Sequence, residues 1–285
     1  PPQPAGRGRK CCPMPVGHWA ESHAKPSIET DNVNAADVSK RIAAVRPDIL
    51  VVIAFGQKIG PELLALPPHG AINVHASLLP KYRGAAPINW AIIRGEKETG
   101  VSIITVADRM DAGDILAQRG TQIGVHETAG ELHDRLARVA PPLLLETLDR
   151  IEEGTATYTK QDEFLASKAP KLKKADGELD FRLPAYVVAD KVRGFWPWPG
   201  ASSHYLSTRT GKTVRVTLAL ADVIWGPTPA SAVPGTFDED LNVACGDGKL
   251  GIRKIKPAGS GLMEFKDFIN GWHVQPGDRF VEAES

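Results

Sequence analysis

The run Asp48-Ile-Leu-Val-Val-Ile-Ala-Phe-Gly56 constrains the fold more than any other stretch of this chain. It is apolar without alternation and stops at glycine, as a strand buried on both faces of a parallel sheet would. Its neighbours fit that setting. Val38, Ile42 and Val45 recur at three-to-four spacing and predict a helix over 34–45. A short helix covers 18–23, and Pro61–Leu66 reads as a helical turn. Ala71–His75 is a short strand, and Ala85–Arg94 a helix with Pro87 near its start. Strands follow at 100–107 and 115–123, then an amphipathic helix over 128–153 interrupted at Pro141-Pro142. Strands alternating with helices imply an open α/β sheet of Rossmann-like type, which binds ligands at the carboxyl ends of its strands.

Chemistry collects at one such strand end. Asn73 and His75 are two apart, so on a strand they share a face while Val74 packs behind. An amide donor beside an imidazole can hold an oxygen that becomes negative. Asp111, in Met110-Asp-Ala-Gly-Asp114 after a second apolar strand, could orient that imidazole or keep it protonated. Asp114 serves equally as a cap on the next strand. Taken singly, each of these residues also suits ordinary strand-end hydrogen bonding. No glycine-rich phosphate loop accompanies them, so a nicotinamide or nucleoside triphosphate is not expected.

Charge and cysteine content narrow the classes further. Thirty-four basic residues balance 34 acidic ones, so any contact with nucleic acid must come from local patches. Cys11, Cys12 and Cys245 form no metal-ligand spacing, and a reduced, cytoplasmic protein without metal is expected. No apolar run reaches the roughly 20 residues of a membrane span. One local patch is the Pro- and Gly-rich start, where Arg7, Arg9 and Lys10 precede the first acid, Glu21. A second is the polar stretch 154–180 with Lys160, Lys168, Lys171, Lys173 and Lys174, which reads as an interdomain linker, solvated or phosphate-binding. Beyond it comes a helix over 185–192. Short strands at 203–208, 213–219, 241–245 and 249–255, separated by turn residues, suggest a small barrel. Trp196 and Trp198, bracketed by prolines, read as core or hinge packing. Lys249, Arg253, Lys254 and Lys256 form a third basic patch with no acid among them.

The run NVHASLLPKYRGAAPINWAI, followed by ETGVSIITVADRMDAGDIL, resembles the formyltransferases that use 10-formyltetrahydrofolate. The PAGRG loop at residues 4–8, the lysine-rich linker and the tail after Arg193-Gly-Phe-Trp-Pro-Trp-Pro-Gly200 resemble the methionyl-tRNA branch of that family. The resemblance implies a catalytic domain over 1–157, a basic linker over 158–176 and an OB-like tRNA-binding barrel over 177–285. It implies transfer of the formyl group of 10-formyltetrahydrofolate to the α-amine of methionyl-tRNA, for translation initiation. Asn73 and His75 would donate to the formyl oxygen, and Asp111 would favour the imidazolium and, through a water, pass the amine's proton to N10. Ser77, Leu78, Leu79 and Pro80 would lie against the folate. Arg7, Arg9 and Lys10 would grip the acceptor end of the tRNA, with Arg7 the key contact. A monomer is expected. Members of the family begin with a strand, a helix and a second strand before the PAGRG loop, so the resemblance implies a chain lacking them, with an open edge beside the 48–56 strand. A relative that formylates glycinamide ribonucleotide or an amino sugar nucleotide would share Asn73, His75 and Asp111. A non-catalytic RNA-binding relative is the remaining alternative.

Overall fold

The computed structural model describes residues 14–226 and 232–282, and the backbone of 3–5 and 10–12. The chain divides into two compact units, 1–73 and 74–285.

In the first unit, β1 (Gln3–Ala5) pairs antiparallel with β2 (Lys10–Cys12). Helices α1 (Pro15–Ser22) and α2 (Ala36–Ala44) follow, then β3 (Leu50–Ile53), the short α3 (Pro61–Leu64) and β4 (Ala71–His75), which carries the chain into the second unit. The apolar run departs from its expected setting. Only 50–53 is strand, and its burial alternates, with Val51 40% and Ile53 57% exposed. One face of this strand is therefore exposed.

In the second unit, α4 (Pro87–Ile93) starts on a proline whose missing N–H costs nothing in a first turn. β5 (Glu98–Thr105) and β6 (Ile115–Gln122) pair antiparallel, so the sheet is mixed rather than parallel throughout. The connection, residues 106–114, is too short for a crossover, which takes about a dozen residues. Helix α5 (Ala129–Glu152) opens with a capping box: Thr128 Oγ1 accepts from Glu131 N, and Glu131 Oε2 accepts from Thr128 N. It runs unbroken through Pro141 and Pro142, contrary to expectation. The carbonyls deprived of donors, those of Ala137 and Arg138, belong to exposed residues, while Leu132, Leu136, Leu143 and Ile151 fix the opposite side in the core.

The C-terminal part is an antiparallel, nearly closed barrel. Helix α6 (Ala185–Gly194) precedes β7 (Ala201–Leu206), β8 (Thr213–Ile224), β9 (Val243–Ala244), β10 (Lys249–Pro257), β11 (Met263–Glu264), α7 (Phe265–Trp272) and β12 (Arg279–Val281). Strand order is β11-β10-β8-β7-β12 with β9 on β10, and bridges Thr236–Arg279 and Phe237–Val243 draw the ends together. Its core is aromatic: Tyr205 meets Phe237, Phe268, Trp272 and Phe280 edge-on or nearly so. Each such side chain contributes roughly 1.5–3 kcal/mol by burial alone. Phe195 fills this core; of the two tryptophans expected as core or hinge packing, Trp196 is half-buried and Trp198 is 56% exposed, both on the proline-bounded turn. Gly194 lets α6 approach α4: a Cβ there would sit 2.6 Å from Ile93 Cγ1, and the Gly194 carbonyl accepts from Asn89 Nδ2 at 2.8 Å.

The lysine-rich stretch is not a free spacer. Its lysines are exposed, but Ala169 and Leu172 are buried. Thr159 exchanges backbone hydrogen bonds with Ile115 at 2.8 and 2.9 Å, and Ala169 N donates to Arg83 O at 2.7 Å.

Candidate active site

Strand β4 delivers His75 into a buried position, with Asn73 two residues earlier on the same strand. The two ring nitrogens of His75 face oxygens. Nε2 donates to Tyr82 O at 2.9 Å, and Nδ1 lies 3.6 Å from Asp111 Oδ1. His75 and Asp111, far apart in sequence, are thus brought together as expected. The Nε2–H of His75 therefore already has an acceptor in the Tyr82 carbonyl.

Asp111 is held from two directions. Gly84 N donates to its Oδ2 at 2.8 Å, and Gln161 Nε2 donates to its backbone oxygen at 2.8 Å. Asp111 has φ +53°, a left-handed conformation that a non-glycine residue keeps only when its surroundings enforce it. The turn it occupies is closed behind it by Thr105 N donating to Asp114 O and Asp114 N donating to Thr105 Oγ1, both at 2.9 Å. Gly113 packs so closely there that a Cβ would overlap the Thr105 carbonyl.

The segment Ser77–Pro80 is braced from within. Ser77 Oγ donates to Lys81 O at 2.7 Å, and Ser102 Oγ donates to Ser77 O at 2.6 Å. Leu79 N donates to Ser102 Oγ at 3.1 Å, and Leu79 O accepts from Gln118 Nε2 at 2.9 Å. Ser77 and Leu79 are buried, whereas Leu78 and Pro80 are half-buried, Leu78 lying over Gly100 and Gly120.

Residues that sequence reasoning missed frame the pair. Arg83 donates through Nε and Nη2 to Gln161 Oε1 at 3.0 and 2.8 Å, and its guanidinium also reaches Glu163 at 3.0 Å. Arg109 joins Glu163 at 2.8 Å. Hydrogen bonds from Arg83 and then Arg109 hold the Glu163 carboxyl down at about 2. Burial, and then the Tyr82 hydroxyl's 2.7 Å bond to Glu96, push the Tyr82 phenol well above its ordinary range. Arg83 and Gly84 lie inside the KYRGAAP run and could have been singled out. Nothing in the sequence marks Gln161, whose partner is fifty positions away.

The expected RNA contacts fare differently. Arg7 and Arg9 lie outside the described residues, and for Lys10 only the backbone of β2 is described. The Lys249–Lys256 patch is largely neutralised across the sheet: Lys249 pairs with Asp238 at 2.7 Å, Arg253 with Asp222 at 3.1 Å and Lys254 with Glu264 at 3.6 Å. Among the described residues no cluster of side chains could hold a metal ion, and no helix is long and apolar enough to cross a membrane.

Residues 1–148 match the family described as Formyl transferase, and residues 171–273 match Formyl transferase, C-terminal domain. The methionyl-tRNA formyltransferase of Geobacter metallireducens is 42% identical over 98% of this chain and 88% of its own length. That of Citrifermentans bemidjiense is 41% identical over 97% and 85%. Among solved structures, HypX from Aquifex aeolicus in complex with tetrahydrofolic acid superposes with a TM-score of 0.61 at 22% identity, covering 94% of this chain and 48% of that one. The N-formyltransferase of Helicobacter canadensis, with folinic acid and dTDP-3-aminofucose, gives 0.62 at 16%, covering 87% and 84%. At these identities the structures support the fold alone. The near full-length sequence matches go further, and the chain belongs to the methionyl-tRNA formyltransferase family.

Proposed function

We propose that this chain transfers the formyl group of 10-formyltetrahydrofolate to the α-amino group of methionyl-tRNA, acting in the cytoplasm as a monomer. The observation that carries the reading is the His75–Asp111 pair at the end of β4, in a chain alike to methionyl-tRNA formyltransferases along nearly its whole length. The amine attacks the formyl carbon, and the formyl oxygen gathers negative charge. Asn73 donates to that oxygen, and His75 donates to it once Nε2–H leaves the Tyr82 carbonyl. Loss of one such donor raises the barrier by about 2.7–4 kcal/mol. Asp111 stays on Nδ1 and, through a water, passes the proton lost by the amine to N10 as the C–N10 bond breaks. The products are formylmethionyl-tRNA and tetrahydrofolate.

The Ser77-Leu78-Leu79-Pro80 segment supplies the folate wall, with Leu78 and Pro80 the members not already buried. Arg7, Arg9 and Lys10 take tRNA phosphates, on a catalytic domain of 1–157 followed by a linker at 158–176 and a tRNA-binding barrel at 177–285. The test supplies labelled 10-formyltetrahydrofolate with methionyl-tRNA, glycinamide ribonucleotide or an amino sugar nucleotide as acceptor. Label in the tRNA is the expected result. Label in a small amine and none in tRNA would overturn the assignment.

A further inference from the structure

We propose that Gln161, in the linker, is a positioning residue that sets the Asp111 carboxylate on His75. The proposal rests on the reading that Asp111 and His75 carry formyl transfer. Gln161 Nε2 donates to the backbone oxygens of both Asp111 and Gly113, each at 2.8 Å. Those two carbonyls bracket Ala112 and belong to the turn in which Asp111 is left-handed. The direction of the amide is dictated by Arg83, whose Nε and Nη2 occupy its oxygen and leave its nitrogen for the turn. Arg83 is fixed in turn. Its side chain is nearly buried and grips Glu163, its backbone N donates to Ser167 O at 2.8 Å, and its backbone O accepts from Ala169 N at 2.7 Å.

The next residue, Gly84, supplies the donor to the Asp111 carboxylate. The side chain of Arg83 therefore governs the backbone of Asp111 through Gln161, while the peptide after it governs the carboxylate. The linker also touches the other partner of His75: Ser167 Oγ accepts from Tyr82 N at 2.9 Å, and Tyr82 O is the acceptor of His75 Nε2. A staple serving only to tie down the linker would have no reason to converge on the two groups that flank one imidazole.

Formyl transfer by the unaltered full chain is measured first, because its absence with every acceptor counts against the functional reading and not against Gln161. Gln161→Ala should then lower kcat by about tenfold to thirtyfold, the loss expected for two net hydrogen bonds, with KM for both substrates little changed. Gln161→Glu keeps the acceptor for Arg83 but cannot donate to the carbonyls, and should fall equally. In an Asp111→Asn background the same substitutions should cost almost nothing more, since residues acting as a unit are not additive. Independently of turnover, the ring-nitrogen NMR signals of His75 should shift in Gln161→Ala while thermal melting stays cooperative. Unaltered kcat, or an equal penalty with and without Asp111, would overturn the proposal. So would an unshifted His75 ring in a folded variant, whether or not the chain proves active.

Discussion

Substituting Gly84 by alanine tests whether the linker and the Asp111 turn are built as one unit. Gly84 has φ +128°, a conformation L residues rarely adopt, and a Cβ there would run into the carbonyl oxygen of Ala169. The backbone strain alone costs of order 1–3 kcal/mol. The collision cannot be relieved by a flexible side chain, because the obstacle is backbone that also accepts from Ala86 N at 3.2 Å. Losing that bond adds about 1 kcal/mol, so the total is about 2–4 kcal/mol. For a unit of this size, at about 2–4 °C per kcal/mol, the melting temperature should drop by about 4–16 °C. Turnover should suffer separately. Any shift of residue 84 withdraws the N–H that holds Asp111 Oδ2. A hydrogen bond to a charged group is worth about 1.5–3 kcal/mol, or about tenfold to a hundredfold in kcat if it is needed in the transition state. Calorimetry and formylation kinetics on the purified variant give both numbers. A variant that melts and turns over like the parent would refute the claim that Gly84 couples linker to site.

His75→Ala and Asp111→Asn should each cut turnover by about 10²–10³-fold with the fold retained, and near-normal kcat in either would remove that residue from the mechanism. Arg7→Ala should weaken methionyl-tRNA binding and lower its salt slope by about one phosphate contact, leaving folate binding unchanged in a titration of each substrate. Asp278 concerns the barrel: burial would raise its carboxyl, but hydrogen bonds from the Tyr205 hydroxyl at 2.5 Å and from Thr208 outweigh burial and hold it low. A folded-state value below the unfolded one means stability present above about pH 4 and lost as pH falls through the depressed value, so melting followed from pH 7 to pH 3 should show an acid loss that Asp278→Asn lacks.

Much of the α/β half was legible because it rests on local signals. The spacing of Val38 and Ile42 and the proline opening α4 are both written within one or two helical turns. The strand-end pair was legible for the same reason, while a meeting with Asp111 was only one of the open readings of its turn until the family resemblance singled it out. What failed to show was set by neighbours distant in sequence. The 48–56 run promised a doubly covered strand, but covering is a property of the sheet's other elements, and the burial of β3 alternates. Pro141 and Pro142 looked like a break because propensity is local, while the face that secures α5 is tertiary. The basic run at 249–256 contains no acid, yet neighbouring segments bring Asp222, Asp238 and Glu264 to it. The direction of β6 was available from its short connection, and the expectation of a parallel sheet passed over it.

The docking of the lysine-rich stretch went unread for a reason that its own structure supplies. A chain segment with both faces in water has no period, and one buried on both faces cannot carry five lysines. A segment docked on one narrow face should alternate, since extended backbone turns successive side chains to opposite sides. That pattern is found over 167–170, where Lys168 and Pro170 are exposed while Ser167 is half-buried and Ala169 is buried; Gln161 is a further half-buried position, ahead of the exposed turn at 162–165. Apart from Leu172, which joins the apolar core, the inward residues are small or polar because what they meet is loop backbone, which asks for hydrogen bonds and close approach rather than apolar bulk. Ala169 gives its N–H to Arg83 and its carbonyl to Ala86, Ser167 takes the N–H of Tyr82, and Gln161 serves the Asp111 turn. A hydrophobic docking face would have announced itself in the sequence. A polar one, matched group by group to irregular loops, has the composition of a solvated spacer, and only its partners reveal that it docks on the loops around His75 and Asp111.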